Sequence, residues 1–556
     1  MPNRMLKLCV MFASVVSVAQ AATRQERIDA LFAPYARPDT PGCAVAVSRD
    51  GKIDHARGYG SANLETGGAI TPATTFHAAS LNKQFVAFSI LLLQRDGKLS
   101  LDDEIHRHIP ELPDYGVPVT LRQLMHHTSG MREQGQLLQL AGWRIGDVTT
   151  DEDLLGVIKA QRSLNYRPGS EVLYTNAAYT LLGEVVVRRT GMSQRDFARS
   201  RIFAPLGMKD SFFRDDGNEP TPGRAIGYNP RAGGGWQIAT PLGGAASLST
   251  TVGDMLIWQR NLRDGQVGGR EVAALMQVSG VLDSGVVHGY GGGLRIERYR
   301  GLRTVSHDGL NGGYRADAVT FPDHGLSVAV LCNNGSAIAW ELSRRIADVY
   351  LEQHMEPLQP ARVALAPGQV AKLAGLYWSP TTDEMVRLEL VDGALRPRFR
   401  QESLHHIGAG AFQLGDGVER WRFGEDGKTL SIWDSWPVPR VFQRLAQPAV
   451  TEGLQRYAGI YRSHDLGADY EARVADGKLT LHFGRNVRAA LEPASGDRFF
   501  STSLGTVTFT RAPTGEVTGL TVSSRRLRRF AAERRSSPFV VAAEPVKQTV
   551  PLDRRD

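Results

Sequence analysis

The spacing of hydrophobic residues predicts two strands and then a long helix in the first hundred positions of the chain. An unbroken apolar run at residues 42–47 predicts a buried strand, and the Arg49–Lys52 turn leads into a second strand that ends near Tyr59. Apolar residues then recur at helical spacing from Ser80 to Asp96, and Gly97 is the expected end of that helix.

Strand patterns return at residues 304–309, 314–323 and 326–334, after a long stretch of helical and loop patterns. A helix is predicted for residues 337–354. Strands at both ends of one region, with helices between them, predict an α/β domain. In this domain a single antiparallel sheet is built from both ends and flanked by helices.

The last third of the chain contains an internal repeat. Residues 374–377 (AGLY) correspond to residues 458–461 (AGIY), and residues 391–395 (VDGAL) correspond to residues 475–479 (ADGKL) at the same offset. Both copies are rich in short alternating strands separated by turns. Two copies at one shared offset predict two small antiparallel β-barrels.

The N-terminus and the bulk composition predict an exported protein of several domains. Arg4 and Lys7 precede a short apolar run, and Ala19-Gln20-Ala21 offers the small residues that a signal peptidase reads. Cleavage near Ala21 and a periplasmic or secreted location are therefore expected. With 556 residues, 42% of them hydrophobic, and a mean hydropathy of -0.24, the mature chain is expected to contain no integral membrane span.

Changes in composition divide the chain into segments. Three prolines lie between Met355 and Gly368, where the helical pattern ends and the strand-rich repeat begins, and no periodicity follows Ser536. The predicted segments are a signal peptide (1–21), the α/β domain (22–355), a linker (356–370), a first barrel (371–448), a second barrel (449–535) and a loose tail (536–556).

Cysteine and histidine spacing predicts no metal site, and no cofactor is expected. Cys9 is removed with the signal peptide, which leaves Cys43 and Cys332, each within a predicted strand. These two residues are either buried thiols or, if their strands are neighbours, a disulfide. The adjacent pairs His126–His127 and His405–His406 are expected to be hydrogen-bonded surface groups.

The net charge of +7 comes largely from one short basic stretch near the end of the chain. Neither a nucleic-acid-binding fold nor interleaved aromatic residues accompany it, so nucleic acid is not an expected partner. We expect a solvated face at the end of the second barrel, with an anionic cell-surface partner as the alternative. The stretch contains Arg525, Arg526, Arg528, Arg529, Arg534 and Arg535.

The motif Ser80-Leu81-Asn82-Lys83 carries the first candidate chemistry. Positions i and i+3 share a helix face, so the Lys83 amine can reach the Ser80 hydroxyl, and the helix N-terminus favours a developing alkoxide. A serine becomes a nucleophile when a base removes its proton, and a lysine serves as that base where its surroundings favour the neutral amine. The alternative is an N-cap serine beside a solvated lysine.

A second motif, Tyr174-Thr175-Asn176, follows a turn at Arg167–Ser170 and precedes a predicted helix. The phenol of Tyr174 can carry a proton between the serine and a leaving group. The Asn176 amide offers a donor and an acceptor, which can hold both the lysine and a substrate amide. The alternative is a tyrosine packed within a loop.

The third motif, His307-Asp308-Gly309, lies within a predicted strand. The His307 imidazole can donate to the tyrosine oxygen or add positive charge beside it. Gly309 allows a substrate backbone to lie close along the strand edge. The backbone amides of Ser80 and Leu310 are the candidate oxyanion donors.

These three motifs, in this order and on these elements, resemble those of the penicillin-recognising serine hydrolases. That superfamily includes class C β-lactamases, DD-peptidases, β-lactamase-like esterases and D-aminopeptidases. Supporting phrases lie at residues 124–130, 168–169 and 243–248, and the resemblance extends over residues 25–355. It implies a β-lactamase/transpeptidase-like fold for the first domain.

The resemblance is closest to the D-aminopeptidase branch, which also has a histidine in the third motif and two barrels after the catalytic domain. Enzymes of that branch place a loop of the last barrel in the active site. In β-lactamases the third motif begins with a lysine, and His307 at that position weakens the expected grip on a β-lactam carboxylate. The resemblance implies Ser80 as nucleophile, Lys83 and Tyr174 as proton carriers, and His307 as their support.

The predicted function is therefore hydrolysis of an amide or peptide bond through a covalent acyl-enzyme, at an N-terminal D-residue. Three alternatives stay open: a carboxylesterase, a DD-carboxypeptidase or weak β-lactamase, and a cell-wall or β-lactam sensor that is acylated without turnover. The expected partner is a small peptide, amide or ester substrate, and a homodimer is compatible with the sequence.

Overall fold

The computed structural model describes an α/β domain followed by two β-barrels, which confirms the predicted architecture. The predicted signal peptide, the predicted tail and residues 243–246 of one supporting phrase lie outside the described residues. Within the described chain, no helix combines the length and the apolar composition that crossing a membrane requires. The structure describes residues 22–144, 147, 149–214, 223–239, 247–357, 362–398, 400, 402–415, 419–434, 436–446, 453–484 and 487–535.

Strands of one sheet come near the beginning and near the end of the first domain, and most of its helices lie between them in the chain. Its helices are α1 (Arg24–Phe32), α2 (Asn82–Arg95), α3 (Leu121–Met125), α4 (Gln134–Leu140), α5 (Asp151–Lys159), α6 (Asn176–Thr190), α7 (Gln194–Ala198), α8 (Ala204–Leu206), α9 (Val252–Asp264), α10 (Gly269–Met276) and α11 (Ala339–Leu351). Its strands are β1 (Cys43–Arg49), β2 (Lys52–Tyr59), β3 (Phe76–His77), β4 (Phe212–Arg214), β5 (Tyr228–Pro230), β6 (Trp236–Ile238), β7 (Ser247–Thr250), β8 (Arg295–Tyr299), β9 (Leu302–Asn311), β10 (Tyr314–Phe321) and β11 (Leu326–Cys332).

One antiparallel sheet with the strand order β2-β1-β11-β10-β9-β8 organises this domain. Successive side chains of β1 point to opposite faces of the sheet. Val45 and Val47 pack into the cluster that includes α1 and α11, whereas Ala44 and Ala46 pack toward α2 and the other helices. Because helices cover both faces, β1 and β11 are unbroken apolar runs in the sequence.

A disulfide joins the first and the last strand contributed to this sheet. Cys43 and Cys332 are direct partners in the register of β1 and β11, with their Cα atoms 4.0 Å apart, and their sulfurs are bonded. The two positions are 289 residues apart in the sequence, so the bond ties both ends of the domain together. The structure thus decides between the two alternatives that the sequence left open.

Helix α2 crosses the centre of the helical region, and its residues from Asn82 to Leu93 are buried. The predicted helix is correct except at its start, because Ser80 lies in a 3₁₀ turn at Ala79–Leu81 that leads into α2. Ala79 has a φ of 48°, a left-handed conformation that is unfavourable for a residue with a Cβ. A strained turn therefore presents Ser80 at the N-terminus of a buried helix.

The sequence repeat corresponds to two closed antiparallel barrels. The Asp-Gly pairs at 392–393 and 476–477 have positive φ at both residues, as tight hairpin turns require. Helix α12 (Pro367–Leu373), part of which falls in the predicted linker, precedes the first barrel. The first barrel consists of β12 (Gly375–Trp378), β13 (Met385–Val391), β14 (Ala394–Pro397), β15 (Leu404–Gly408), β16 (Ala411–Leu414), β17 (Arg420–Phe423), β18 (Thr429–Trp433) and β19 (Arg440–Arg444). The second consists of β20 (Gly459–Arg462), β21 (Asp469–Ala475), β22 (Lys478–Phe483), β23 (Val487–Ser495), β24 (Arg498–Ser501), β25 (Gly505–Arg511), β26 (Val517–Ser524) and β27 (Leu527–Arg534).

The second barrel packs directly on the helical region of the first domain. Leu137, Leu140 and Leu154 of α4 and α5 belong to the same apolar cluster as the interior of this barrel. The Tyr470 hydroxyl donates a hydrogen bond to the Leu140 carbonyl oxygen at 2.9 Å. An apolar interface of this kind holds the barrel in one position against the domain that carries the candidate motifs.

Candidate active site

A chain of hydrogen bonds joins Ser80 to three other polar side chains. Lys83 Nζ donates to Ser80 Oγ at 3.2 Å and to Asn176 Oδ1 at 2.8 Å. Asn176 Nδ2 in turn donates to Glu133 Oε1 at 2.9 Å. Lys83 is only 4% exposed, so these contacts hold its amine in place beside the Ser80 hydroxyl. The structure therefore brings together the first two motifs as the sequence predicted.

Glu133 is a member of this chain that the sequence analysis missed. Its carboxylate caps the N-terminus of α4 and also accepts the backbone N–H of Asn176, the first residue of α6, at 2.8 Å. A carboxylate is well suited to this place because both helix N-termini direct partial positive charge toward it. An acidic residue directly before a helix was the available signal, but that signal indicates an ordinary cap.

Two basic side chains, Lys83 and Arg526, lie close to the ring of Tyr174. Lys83 Nζ is 5.0 Å and Arg526 Cζ is 4.9 Å from the ring centroid, both within the range of cation–π attraction. The ring of His127 lies 4.3 Å away on centroids. Tyr174 is thus held beside the Ser80–Lys83 pair by groups from the first domain and from the second barrel.

The prediction that His126 and His127 are surface groups is wrong. They are 8% and 0% exposed: His126 lies beside the buried His288, and the loop that carries Tyr174 folds over His127. His127 has a φ of 59°, and its Nδ1 accepts the backbone N–H of Thr175 at 3.3 Å. Its carbonyl oxygen accepts the Leu173 N–H at 2.9 Å, so this histidine fixes the path of the Tyr174 loop.

Both forms of support predicted for His307 need correction. Its Nδ1 donates to the Asp308 carbonyl oxygen at 2.6 Å, and its Nε2 accepts from the Tyr290 hydroxyl at 2.9 Å. Burial lowers the pKa of this imidazole below its ordinary range, so the ring is neutral near pH 7. The ring therefore adds no positive charge and bonds to Tyr290, whose ring packs 6.3 Å from that of Tyr174.

Gly309 allows strand β9 to pack against the turn that carries Ser80. A Cβ at this position would lie 2.7 Å from the Ala78 carbonyl oxygen and 3.1 Å from Ser80 N. Glycine is required here because protein backbone, rather than a substrate, occupies that space. Leu310 follows directly and lines the same cavity as Ser80. The two residues with the predicted oxyanion donors therefore lie where β9 packs against the Ser80 turn.

The basic stretch of the second barrel is only in part the solvated face that the sequence predicted: Arg529 and Arg535 are exposed, whereas the residues before Arg529 contact the other domains. Arg525 and Arg526 form the turn of the β26–β27 hairpin, and Arg525 pairs with Asp434 of the first barrel at 2.8 Å. Arg528 is buried and donates to both carboxylate oxygens of Glu171 at 2.9 Å. For Arg525, Arg526 and Arg528 the prediction is wrong, because local sequence cannot reveal that this hairpin faces the other domains.

This hairpin reaches the candidate site itself. Its Arg526 carbonyl oxygen accepts the backbone N–H of Glu133 at 3.2 Å, and the Arg526 guanidinium covers Tyr174. The first barrel contributes Trp436, whose ring lies 6.1 Å from that of Tyr290. Both barrels therefore border the site, and the loop that reaches Tyr174 belongs to the second barrel.

Buried histidines make the stability of this domain sensitive to acid. Burial lowers the pKa of His288 to about 4 and that of His126 to about 3, against about 6.5 in an unfolded chain. The unfolded chain therefore takes up protons between pH 6.5 and 4 that the folded chain does not bind. The free energy of unfolding is therefore unaffected by these two histidines above pH 6.5, and it decreases as the pH falls toward 4.

We expect His288→Gln to flatten this dependence on pH. Near pH 5, each pH unit of acidification is expected to lower the free energy of unfolding of the wild type by about 1.4 kcal/mol more than that of the variant, because the variant has one titrating group fewer. Denaturant unfolding from pH 4 to pH 8 measures the difference. Above pH 7.5 the two proteins are expected to differ by a constant amount, and parallel curves down to pH 4 would contradict the prediction.

Comparison with protein families gives two matches along the chain. The family profile described as Beta-lactamase matches residues 28–350. A second profile, described as a domain of unknown function, matches residues 443–534. The first match covers the domain that holds the three motifs, and the second covers the second barrel.

Several curated relatives match over most of their own length. The D-aminopeptidase of Gluconobacter oxydans (strain 621H) is 28% identical over 444 residues, which is 79% of this chain and 82% of that protein. The D-aminopeptidase of Brucella anthropi is 26% identical over 515 residues, 87% of this chain and 93% of that protein. Penicillin-binding protein 4 of Amycolatopsis lactamdurans is 29% identical over 396 residues, 64% of this chain and 96% of that protein.

Solved structures share the fold. The octameric penicillin-binding protein homologue from Pyrococcus abyssi superimposes with a TM-score of 0.52 at 22% identity, covering 81% of this chain and 95% of that one. The D-amino acid amidase from Ochrobactrum anthropi SV3 superimposes with a TM-score of 0.51 at 23% identity, covering 59% and 99%. At these identities the similarity concerns the fold alone.

Proposed function

The chain belongs to the beta-lactamase family, as its three motifs predicted, and we propose that it is a D-aminopeptidase-like serine hydrolase that works through an acyl-enzyme. One observation carries the proposal: Lys83 Nζ, buried and held by Asn176, lies 3.2 Å from Ser80 Oγ, and both residues line a cavity. We further propose that the enzyme is exported and acts in the periplasm or outside the cell.

In the first step Ser80 Oγ attacks the carbonyl carbon of the substrate. Lys83, as a neutral amine, takes the Ser80 proton, and Tyr174 carries it toward the leaving group. The backbone amides of Ser80 and Leu310 donate to the oxyanion of the tetrahedral intermediate. The positive charges of Lys83 and Arg526 at the Tyr174 ring attract the negative charge that develops on its oxygen during transfer.

The intermediate then collapses and the bond to the leaving amine breaks. Tyr174 protonates that amine, and the acyl group stays on Ser80 as an ester. Water attacks this ester, its proton passes to the Lys83–Tyr174 pair, and Ser80 recovers a proton as the acid leaves. His307 acts as a positioning residue, since it holds Tyr290, which packs against Tyr174.

An N-terminal D-residue is the substrate class that the comparisons favour. Relatives named D-aminopeptidase match this chain across the first domain and the barrels. The hairpin of the second barrel covers Tyr174 through Arg526, so part of the second barrel lies beside the residue that protonates the leaving group. A small peptide or amide fits this arrangement better than a polymer.

A kinetic panel tests the proposal. We expect D-alanyl p-nitroanilide to be cleaved at least tenfold faster than its L-isomer, and both to exceed a chromogenic cephalosporin. Cleavage of p-nitrophenyl acetate without any cleavage of the D-alanyl anilide would favour a carboxylesterase instead. A covalent adduct that forms without product release would indicate a sensor.

A further inference from the structure

The cavity beside Ser80 is larger than the reacting groups need. It has a volume of about 510 Å3 and continues from Ser80 and Lys83 between α2, α4, α5 and α6. This volume lies in the range of pockets that hold small molecules. The wall is more apolar than polar. The apolar side chains Val86, Leu138, Leu154, Leu155 and Val187 line it, together with polar ones that include Asp151, Thr180 and Glu184.

We propose that this cavity is the acyl pocket of Ser80 and that it takes a long, largely apolar acyl chain with a hydrogen-bond donor at its far end. The inference rests on the proposed acyl transfer at Ser80 and names the part of the substrate that becomes attached to it. It extends the substrate class beyond small residues such as D-alanine.

The lining separates the acyl side of the site from the leaving-group side. The described residues that line the cavity include Asn176 and Glu133 but neither Tyr174 nor His307. In the proposed mechanism Tyr174 protonates the leaving group, which therefore lies on the Tyr174 side of Ser80. The cavity, on the Asn176 side, is left for the acyl group.

Helix α6 runs along the cavity and contributes lining residues from Asn176 to Val187. Asn176, which binds Lys83, and Gly183 are seven residues apart on this helix, so the depth from Asn176 to Gly183 is about 10 Å. Gln194 Nε2 donates to the Gly183 carbonyl oxygen at 3.1 Å, so the Gln194 side chain lies at that depth. This is the length of about three extended residues, and a short acyl group would leave most of the cavity empty.

Gln194 and Thr149, which both line the cavity, each have a buried oxygen without a hydrogen-bond partner among the described residues. These oxygens are Gln194 Oε1 and Thr149 Oγ1, and each residue is 5% exposed. Because the Gly183 carbonyl oxygen holds Nε2 of Gln194, the amide presents Oε1 as an acceptor. Buried acceptors are normally satisfied, so a ligand that brings a donor to this position completes the site.

Three p-nitrophenyl esters test the pocket: acetate, octanoate and 8-hydroxyoctanoate. We expect kcat/KM of the wild type to rise at least tenfold from acetate to octanoate, since the added methylenes become buried. The hydroxylated ester is expected to match or exceed octanoate. Gln194→Leu is expected to lower kcat/KM for 8-hydroxyoctanoate about tenfold and to leave acetate and octanoate unchanged.

Two further variants separate the pocket from general effects on folding. Val187→Phe, which fills the cavity, is expected to slow both long esters and to spare acetate. Gln136→Leu is the matched control, because Gln136 Oε1 also lacks a partner among the described residues but lies outside the cavity lining. It is expected to leave all three esters unchanged.

The outcomes distinguish the pocket from the proposed function. Equal rates for acetate and octanoate, or an equal loss on all three esters in Gln194→Leu, would overturn the acyl pocket. If D-alanyl p-nitroanilide is not cleaved while the esters show the expected dependence, the D-aminopeptidase proposal fails and the pocket stands. If the wild type cleaves neither the anilide nor any ester, both are overturned.

Discussion

Replacing Ser80 by alanine is expected to lower kcat for D-alanyl p-nitroanilide by about four to six orders of magnitude. The variant lacks the oxygen that forms the acyl-enzyme, while the oxyanion donors and the cavity remain. The fold is expected to persist, because the lost hydroxyl is paired with the Lys83 amine and not with the core. Kinetics and intact-protein mass spectrometry after an acid quench measure both the rate and the acyl adduct.

Ser89→Ala is the matched control for this substitution. Ser89 lies on the same helix, is fully buried, and donates to the Phe85 carbonyl oxygen at 2.8 Å. Its removal is expected to change kcat less than about twofold, since a helix-internal hydroxyl bond contributes only about 1 kcal/mol to stability and nothing to the chemistry. An acyl adduct on the Ser80→Ala protein, or a rate near that of the wild type, would refute Ser80 as nucleophile.

Removal of the Lys83 amine is expected to give the second largest effect. In Lys83→Met, kcat is expected to fall by about three to four orders of magnitude, because the base beside Ser80 is gone. KM is expected to change little, since the cavity walls are retained. Steady-state kinetics of the variant and the wild type on D-alanyl p-nitroanilide measure both parameters.

Lys83→Arg distinguishes a base from a positive charge. A guanidinium stays protonated at all relevant pH values, so this variant is expected to be as slow as Lys83→Met although it keeps the charge. Lys98→Met, at an exposed lysine just beyond α2, is the control for the loss of a lysine and is expected to be fully active. A Lys83→Arg enzyme with the wild-type rate would remove Lys83 from the role of base.

The elements nearest to the chemistry were predictable because their signals are local. The spacing of apolar residues predicted α2, and the i, i+3 spacing predicted that Lys83 reaches Ser80. The start of α2 was predicted two residues early, because the positive φ of Ala79 leaves no mark in a pattern of apolar residues. The order of the three motifs along the chain then indicated the family.

The partners of the motif residues were not predictable in the same way. Glu133, Tyr290 and Arg526 reach the site from separate segments, and each has an ordinary local context. His307 illustrates the consequence. Its residue type suggested a hydrogen bond to Tyr174. In the structure its Nε2 instead accepts from the Tyr290 hydroxyl, 2.9 Å away.

The sequence by itself determined the elements and their chemistry: buried strands β1 and β11, helix α2, the two barrels marked by a repeated Asp-Gly turn, and the three motifs. Only the tertiary structure decided the Cys43–Cys332 bond and the inward face of the Arg526 hairpin. The physical reason is that propensity and periodicity act between residues a few positions apart. Contacts between distant segments depend on which faces of the folded elements pack together.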